Sequence, residues 1–259
     1  MLDALVVDPG SPAGLDRRDP RDTLNLSGKD AASEELGDLL EELSSLQERL
    51  YAENQRSVLL VLQGLDASGK DGTIRSVFRG VNPQGCAVTS FKAPTPVELA
   101  HDFLWRIHAH APARGMIGIF NRSHYEDVVT VRVLELVPEQ VWRRRPQRIV
   151  EFEQLLADAG TTVLKCFLHV SAEEQRERFA ERLSDPSKRW KHNPKDEQTT
   201  LRFRELTGAY DEALTATSTQ GAPWYVIPAD RNWVRNLAVA TVLVDCLRRL
   251  DPRFPDAAP

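Results

Sequence analysis

The sequence predicts an α/β fold: a doubly wound parallel sheet flanked by helices, with a helical lid. Three observations carry that prediction. Short, largely apolar runs recur along the chain, as in strands buried on both faces of a parallel sheet. Helical stretches separate them, and strands alternating with helices build βαβ units. The first of these runs leads directly into a glycine-rich turn ending in lysine, the form of a phosphate-binding loop.

Taken in order, residues 1–32 are rich in Pro, Gly, Asp and Arg and show no clear periodicity. They are expected to form an extended N-terminal arm lying over the domain surface or a partner subunit. The domain proper is expected over 33–259. From Ser33 the leucines Leu36, Leu39, Leu40, Leu43, Leu46 and Leu50 recur at three and four, the stripe of an amphipathic helix. The first strand is expected at 57–63. A weaker one follows at 86–91, and three more at 115–120, 162–170 and 224–228. Helices are expected at 96–110 and 138–159, and a last one closes the fold at about 233–250. Ser171 reads as an N-cap, with Glu174 completing a capping box.

Bulk properties narrow the function classes. A chain of 259 residues fits one α/β domain with small additions. A net charge of -5 advertises no polyanionic partner globally, so a basic site has to be local. Cys86, Cys166 and Cys246 stand far apart with no CxxC pair. That speaks against a disulfide framework or a zinc site and for a reducing, cytoplasmic setting. No apolar run reaches membrane-spanning length, and the first ten residues lack the basic flank of a secretory signal. Arg143, Arg144 and Arg145 have no aromatic interleaving of the kind used on nucleic acid; a solvated face or an oligomer contact is expected there.

The segment Gly64-Leu65-Asp66-Ala67-Ser68-Gly69-Lys70 fits G-x-x-x-x-G-K, between a strand and a helix as that motif requires. Its glycines let the backbone curl so that the amides around Gly64, Ala67, Ser68, Gly69 and Gly72 form a concave anion site at a helix N-terminus. Lys70 adds a positive charge for the transferred phosphate. A glycine-rich turn can exist without a ligand, but the lysine and the preceding strand together favour phosphate. Asp71 stands where Ser or Thr normally gives a hydroxyl to Mg²⁺. Asp66 is an acid inside the loop, unfavourable among phosphate-binding amides unless a cation sits beside it, so Asp66 is expected to hold Mg²⁺. Capping of the turn is its plainer role.

A second constellation, Phe120-Asn121-Arg122-Ser123-His124-Tyr125-Glu126-Asp127, begins at the end of the third strand, the edge where open α/β sheets bind ligands. Arg122 suits phosphate oxygens and transition-state charge. Glu126 and Asp127 are candidates for a second metal ligand, with Asp127 preferred; enrichment of a helix first turn is the plainer role. A third feature is the basic stretch about 175–198. There Arg178, Arg182, Lys188 and Lys191 are expected to close over a substrate with many phosphates, and Arg176 and Lys195 to face solvent. Lys92 could reach a phosphate or lie on the surface. His101, His108 and His110 lack a metal-site pattern.

These residues resemble the polyphosphate kinase type 2 family. The matching stretches are Gly64 to Gly72, Phe91 to Pro94, His101 to Arg106, Phe120 to Asp127, Arg178 to Lys191 and Ala222 to Arg231, ordered along nearly the whole chain. The resemblance implies a thymidylate-kinase-like P-loop fold, Mg²⁺ dependence and reversible transfer between inorganic polyphosphate and adenine or guanine nucleotides. It implies homodimers or homotetramers, and roles for Asp66, Lys70, Arg122, Arg178 and Arg182. Asn121, where diphosphate-restricted members carry Asp, resembles class III members that accept AMP as well as ADP. A neutral side chain there tolerates an additional acceptor charge. An ATP-dependent nucleoside-monophosphate kinase and a non-catalytic nucleotide-binding regulator are the rival readings.

Overall fold

The computed structural model describes residues 1–187, 189 and 200–256. Its strands are β1 (Val6–Val7), β2 (Ser57–Gln63), β3 (Cys86–Ser90), β4 (Ile117–Asn121), β5 (Thr161–His169) and β6 (Trp224–Pro228). They form one sheet in the order β1-β6-β5-β2-β4-β3. β2 to β6 are parallel, while β1 runs antiparallel along β6. All residues of β2 are buried, as its Ser-Val-Leu-Leu-Val-Leu-Gln run demands of a central strand.

Among the described residues, helices of eight or more residues are α1 (Lys29–Glu53), α2 (Lys70–Val77), α3 (Glu126–Val133), α4 (Arg145–Asp158), α5 (Ala172–Ser184), α6 (Phe203–Thr217) and α7 (Asn232–Leu250). α7 packs against α1 and α2, and α6 against α3 and α4, so helices gather in two groups about the sheet. In α1 the stripe Leu39, Leu43, Leu46 and Leu50 is buried, with Leu36 and Leu40 at its margin. This helix starts at Lys29, before the expected Ser33, and Ala32 in its first turn joins the core. Among the described residues no helix is long and apolar enough to cross a membrane.

Two expected helices are broken. Over 96–110 only the turns Pro96–Leu99 and Trp105–His108 are helical. Between them the Asp102 carboxylate accepts from the Leu104 amide at 2.9 Å, a local bond that competes with the helical ladder. Over 138–159 the turn Glu139–Trp142 is followed by a fresh start at Arg145, where Pro146 supplies no amide to continue the earlier turn. Ser171 does cap α5, accepting from the Glu174 amide at 3.1 Å. The Glu174 carboxylate turns instead to Arg178.

The N-terminal 32 residues do more than lie over the surface. Leu5, Val7, Ala13 and Leu15 enter the core, and β1 adds an edge to the sheet. The Arg18 guanidinium gathers the segment by donating to the carbonyls of Ala4, Leu5, Val6 and Ala13. Val6 and Val7 pair with Tyr225 and Trp224, a strand too short to leave a periodic signal.

Candidate active site

The loop after β2 takes its shape from alternating left-handed residues. Ala67 has φ 62° and Gly69 φ 101°, a pattern that turns successive amides toward one side. Gly64 has no room for a side chain, since a Cβ there would lie 2.7 Å from the Leu168 carbonyl. At its C-terminal end the loop runs into α2, whose N-cap is Gly69. Lys70 is 7% exposed, and its Nζ donates to the carbonyls of Gly64 and Leu65 at 2.7 and 3.1 Å and to Ser68 Oγ at 3.4 Å. Burial, joined by repulsion from Arg122, pushes its pKa down to about 8 against the pull of Asp66, Glu126 and Asp71.

Facing the loop is Arg122, the first residue beyond β4, in the left-handed region with φ 62°. Its guanidinium bonds Asp66 through Nη2 and reaches Glu126 at 3.5 Å through Nη1. The Glu126 carboxylate holds its pKa above the ordinary value, outweighing burial, and Asp66 reinforces it. Glu126 also accepts from Thr130 at 2.5 Å, Tyr210 at 3.3 Å and Gln63 at 3.4 Å. A cleft of about 70 Å³ lies among Gly64, Asp66, Arg122, Glu126, Arg202 and Tyr210. Asp66 and Glu126 are hard oxygen donors drawn to one cation. That pair suits Mg²⁺, which takes one or two carboxylates and completes its shell with phosphate oxygens and water. Among the described residues no group of three or more His, Cys, Asp or Glu gathers as a self-sufficient metal site.

The carboxylate that shares Arg122 with Asp66 is that of Glu126. Asp127, the preferred second ligand from the sequence, sits instead between Arg106 and Arg145, each 3.4 Å away, and Arg145 also donates to its carbonyl at 2.7 Å. Neighbours on a helix point about 100° apart, so only one of two adjacent acids faces the loop. Burial lifts the Asp127 carboxyl above its usual value despite both arginines. Asn121 donates to Asp71 at 2.8 Å, so the residue that replaces the usual hydroxyl is engaged by the end of β4. Gly72 lies in the first turn of α2. Lys92 is exposed, and its carbonyl accepts from Arg106 at 2.8 Å. Arg178 donates to Ala67, Ala229 and Asp230 carbonyls at 2.8, 2.7 and 2.9 Å and to Glu174 at 2.8 Å, pinning the loop to the end of β6. Arg182, one turn on, lies over the Phe179 ring. Lys188 and Lys191 lie outside the described residues.

Several contributors left no sequence motif. Arg235 of α7 is buried behind the loop, where a Cβ on Gly69 would come within 1.9 Å of its Nη1. Burial, with Arg178 nearby, pushes its pKa down to about 10. Gln175 of α5 donates to the Asp66 carbonyl at 2.9 Å. Beneath the 122–126 turn lies a buried network of Tyr125, Glu153 and Lys165, with Lys165 Nζ 2.6 Å from Glu153. A larger cavity of about 260 Å³ sits under the N-terminal arm beside Arg18, Asp19 and His169, but it includes no residue of the loop.

The family model for polyphosphate kinase 2 (PPK2) matches residues 26–255. An AMP/ADP-polyphosphate phosphotransferase from Meiothermus ruber is 53% identical over 250 residues, 96% of this chain and 94% of that protein. An ADP-polyphosphate phosphotransferase from Rhodopseudomonas palustris is 43% identical over 232 residues, covering 85% of this chain and 80% of the relative. The crystal structure of polyphosphate kinase 2 from Arthrobacter aurescens TC1 superposes with a TM-score of 0.95 at 39% identity, covering 99% of this chain and 92% of that one. With the loop, the facing arginine and the sheet that joins them in place, the chain belongs to the polyphosphate kinase 2 family.

Proposed function

We propose that this chain transfers phosphoryl groups reversibly between inorganic polyphosphate and nucleotides, converting AMP to ADP and ADP to ATP, with Mg²⁺ as its cofactor. The reading rests on one observation: Lys70, in its curled loop, lies beside an Arg122 guanidinium shared by Asp66 and Glu126. The loop amides and Lys70 hold the terminal phosphates of the donor chain. The acceptor's terminal phosphate oxygen then attacks in line, and the rest of the polyphosphate leaves. Arg122 supports the charge spread over the transferred group, so positioning and electrostatics carry the catalysis and no covalent enzyme intermediate is needed. Asp66 and Glu126 are the carboxylates that would hold Mg²⁺, which when bound neutralises phosphate oxygens and fixes their orientation. Arg178 keeps the loop in register, and Arg182, on the same helix, serves the polyanion. We extend the proposal to a cytoplasmic homodimer or homotetramer, in line with the family resemblance.

An ATP-dependent nucleoside-monophosphate kinase would share the loop and the sheet but requires a second nucleotide as donor. Purified protein incubated with Mg²⁺, long-chain polyphosphate and AMP or ADP, without ATP, distinguishes the two. ADP is expected from AMP and ATP from ADP. No product in that mixture, with turnover restored by ATP plus AMP, would overturn the proposal.

A further inference from the structure

We propose that Tyr125 and the buried Glu153–Lys165 pair are positioning residues, fixing the turn that aims Arg122 and Glu126 at the phosphate site. The inference rests on the functional reading above. Between β4 and α3 the chain turns within residues 122–125. Arg122 stands at φ 62°, a conformation side chains other than glycine's seldom hold without support. The residues that follow, Ser123, His124 and Tyr125, are fully buried, so the turn is gripped from below while Arg122 and Glu126 reach the cleft on either side.

The grip is directional. Tyr125 Oη donates to Glu153 Oε1 at 2.8 Å, and His124 Nε2 lies 3.4 Å from the same oxygen. Lys165 Nζ donates to Glu153 Oε2 at 2.6 Å, to the Thr217 carbonyl at 2.7 Å and to Tyr125 Oη at 3.2 Å. The Tyr125 ring meets Trp224 edge-on at 4.7 Å. Glu153 belongs to α4, Lys165 to β5, Thr217 to α6 and Trp224 to β6, so four rigid elements converge on one tyrosine. A parallel-sheet core gains little stability from such a pair, since apolar side chains of similar volume often replace a buried ion pair without loss. What the network supplies is a fixed orientation for the residues attached to it. Arg122 acts on charge that develops in the transition state, so a mis-aimed turn raises the barrier and leaves substrate binding nearly untouched.

Two variants test this in the ATP-free assay. Tyr125→Phe removes a single oxygen. The double variant Glu153→Leu with Lys165→Met replaces the ion pair by apolar groups of similar size. Measured together are kcat, KM for polyphosphate and for ADP, and the thermal midpoint. The expected result is a kcat lowered about 10- to 100-fold in both, with each KM within about twofold of wild type and a cooperative melt retained. The inference is overturned if Tyr125→Phe keeps kcat within about twofold, or if its kcat falls only together with a matching rise in KM and a collapsed melt. Should the double variant not fold, Tyr125→Phe decides alone. A wild type inactive with polyphosphate but active with ATP would instead strike the functional reading. The variant-to-wild-type kcat ratio is then read with ATP as donor, so the two failures stay separate.

Discussion

Lys70 carries a charge whose partners are two carbonyls and a hydroxyl, and its pKa is lowered to about 8 by burial and by Arg122. On the proposed function, a polyphosphate end would bind the protonated form and raise that value in the complex. The kcat/KM for polyphosphate reports the free enzyme and kcat the bound one. Profiles taken between about pH 7 and pH 10 are therefore expected to show kcat/KM falling above about pH 8, with the fall in kcat displaced to higher pH. A kcat/KM that stays level over that range would contradict the placement of this charge. Lys70, Asp66 and Arg122 were legible in the sequence because their types and spacing are tied to a strand end. The choice between Glu126 and Asp127 was not, because it depends on helix phase, which the Tyr125 turn sets. Arg235 was illegible for a different reason: among the apolar residues of its helix it reads as one more surface charge, and only packing puts it behind the loop.

Elements hold these residues in place through backbone shape more than through composition. The loop leans on α7, where Arg235 donates to Asn232 at 2.7 Å and to Asn236 at 3.0 Å and approaches the Ser68 carbonyl at 3.4 Å. A guanidinium so tied cannot yield cheaply to a new methyl group. Gly69→Ala combines a contact of 1.9 Å with a φ of 101°, so it is expected to cost about 1–3 kcal/mol and to lower the thermal midpoint by several degrees. A midpoint equal to wild type would show that α7 does not shape the loop. Four of the five parallel strands were legible as apolar runs since they are buried in a sheet covered by helices, whereas β3, at the edge and largely exposed, left the weaker signal. The interruptions at Asp102 and Pro146 were harder to see because each depends on one residue overriding a periodic stretch around it.

Across the whole molecule, the sheet order explains why the site lies where it does. The chain leaves β2 toward β3 on one side and leaves β5 toward β6 on the other, so the adjacent β2 and β5 form a switch point at their carboxyl ends. The loop follows β2, the turn at Arg122 follows the neighbouring β4, and α5, which bears Gln175 and Arg178, follows β5. The ends of β2 and β4 thus meet at one cleft, the helix after β5 braces the loop through the Asp66 and Ala67 carbonyls, and β1 finishes the far edge from the N-terminal arm. The meeting of loop and Arg122 turn was readable from the placement of both motifs at strand ends; the strand order and the part played by the arm were not, because a strand of two residues carries no pattern. The most direct test of the loop's role is the ATP-free reaction run with Lys70→Ala beside wild type, scoring kcat/KM for polyphosphate and the thermal midpoint together. A loss of about a thousandfold with the midpoint held within a few degrees is expected; turnover close to wild type would contradict a phosphate grip at residue 70.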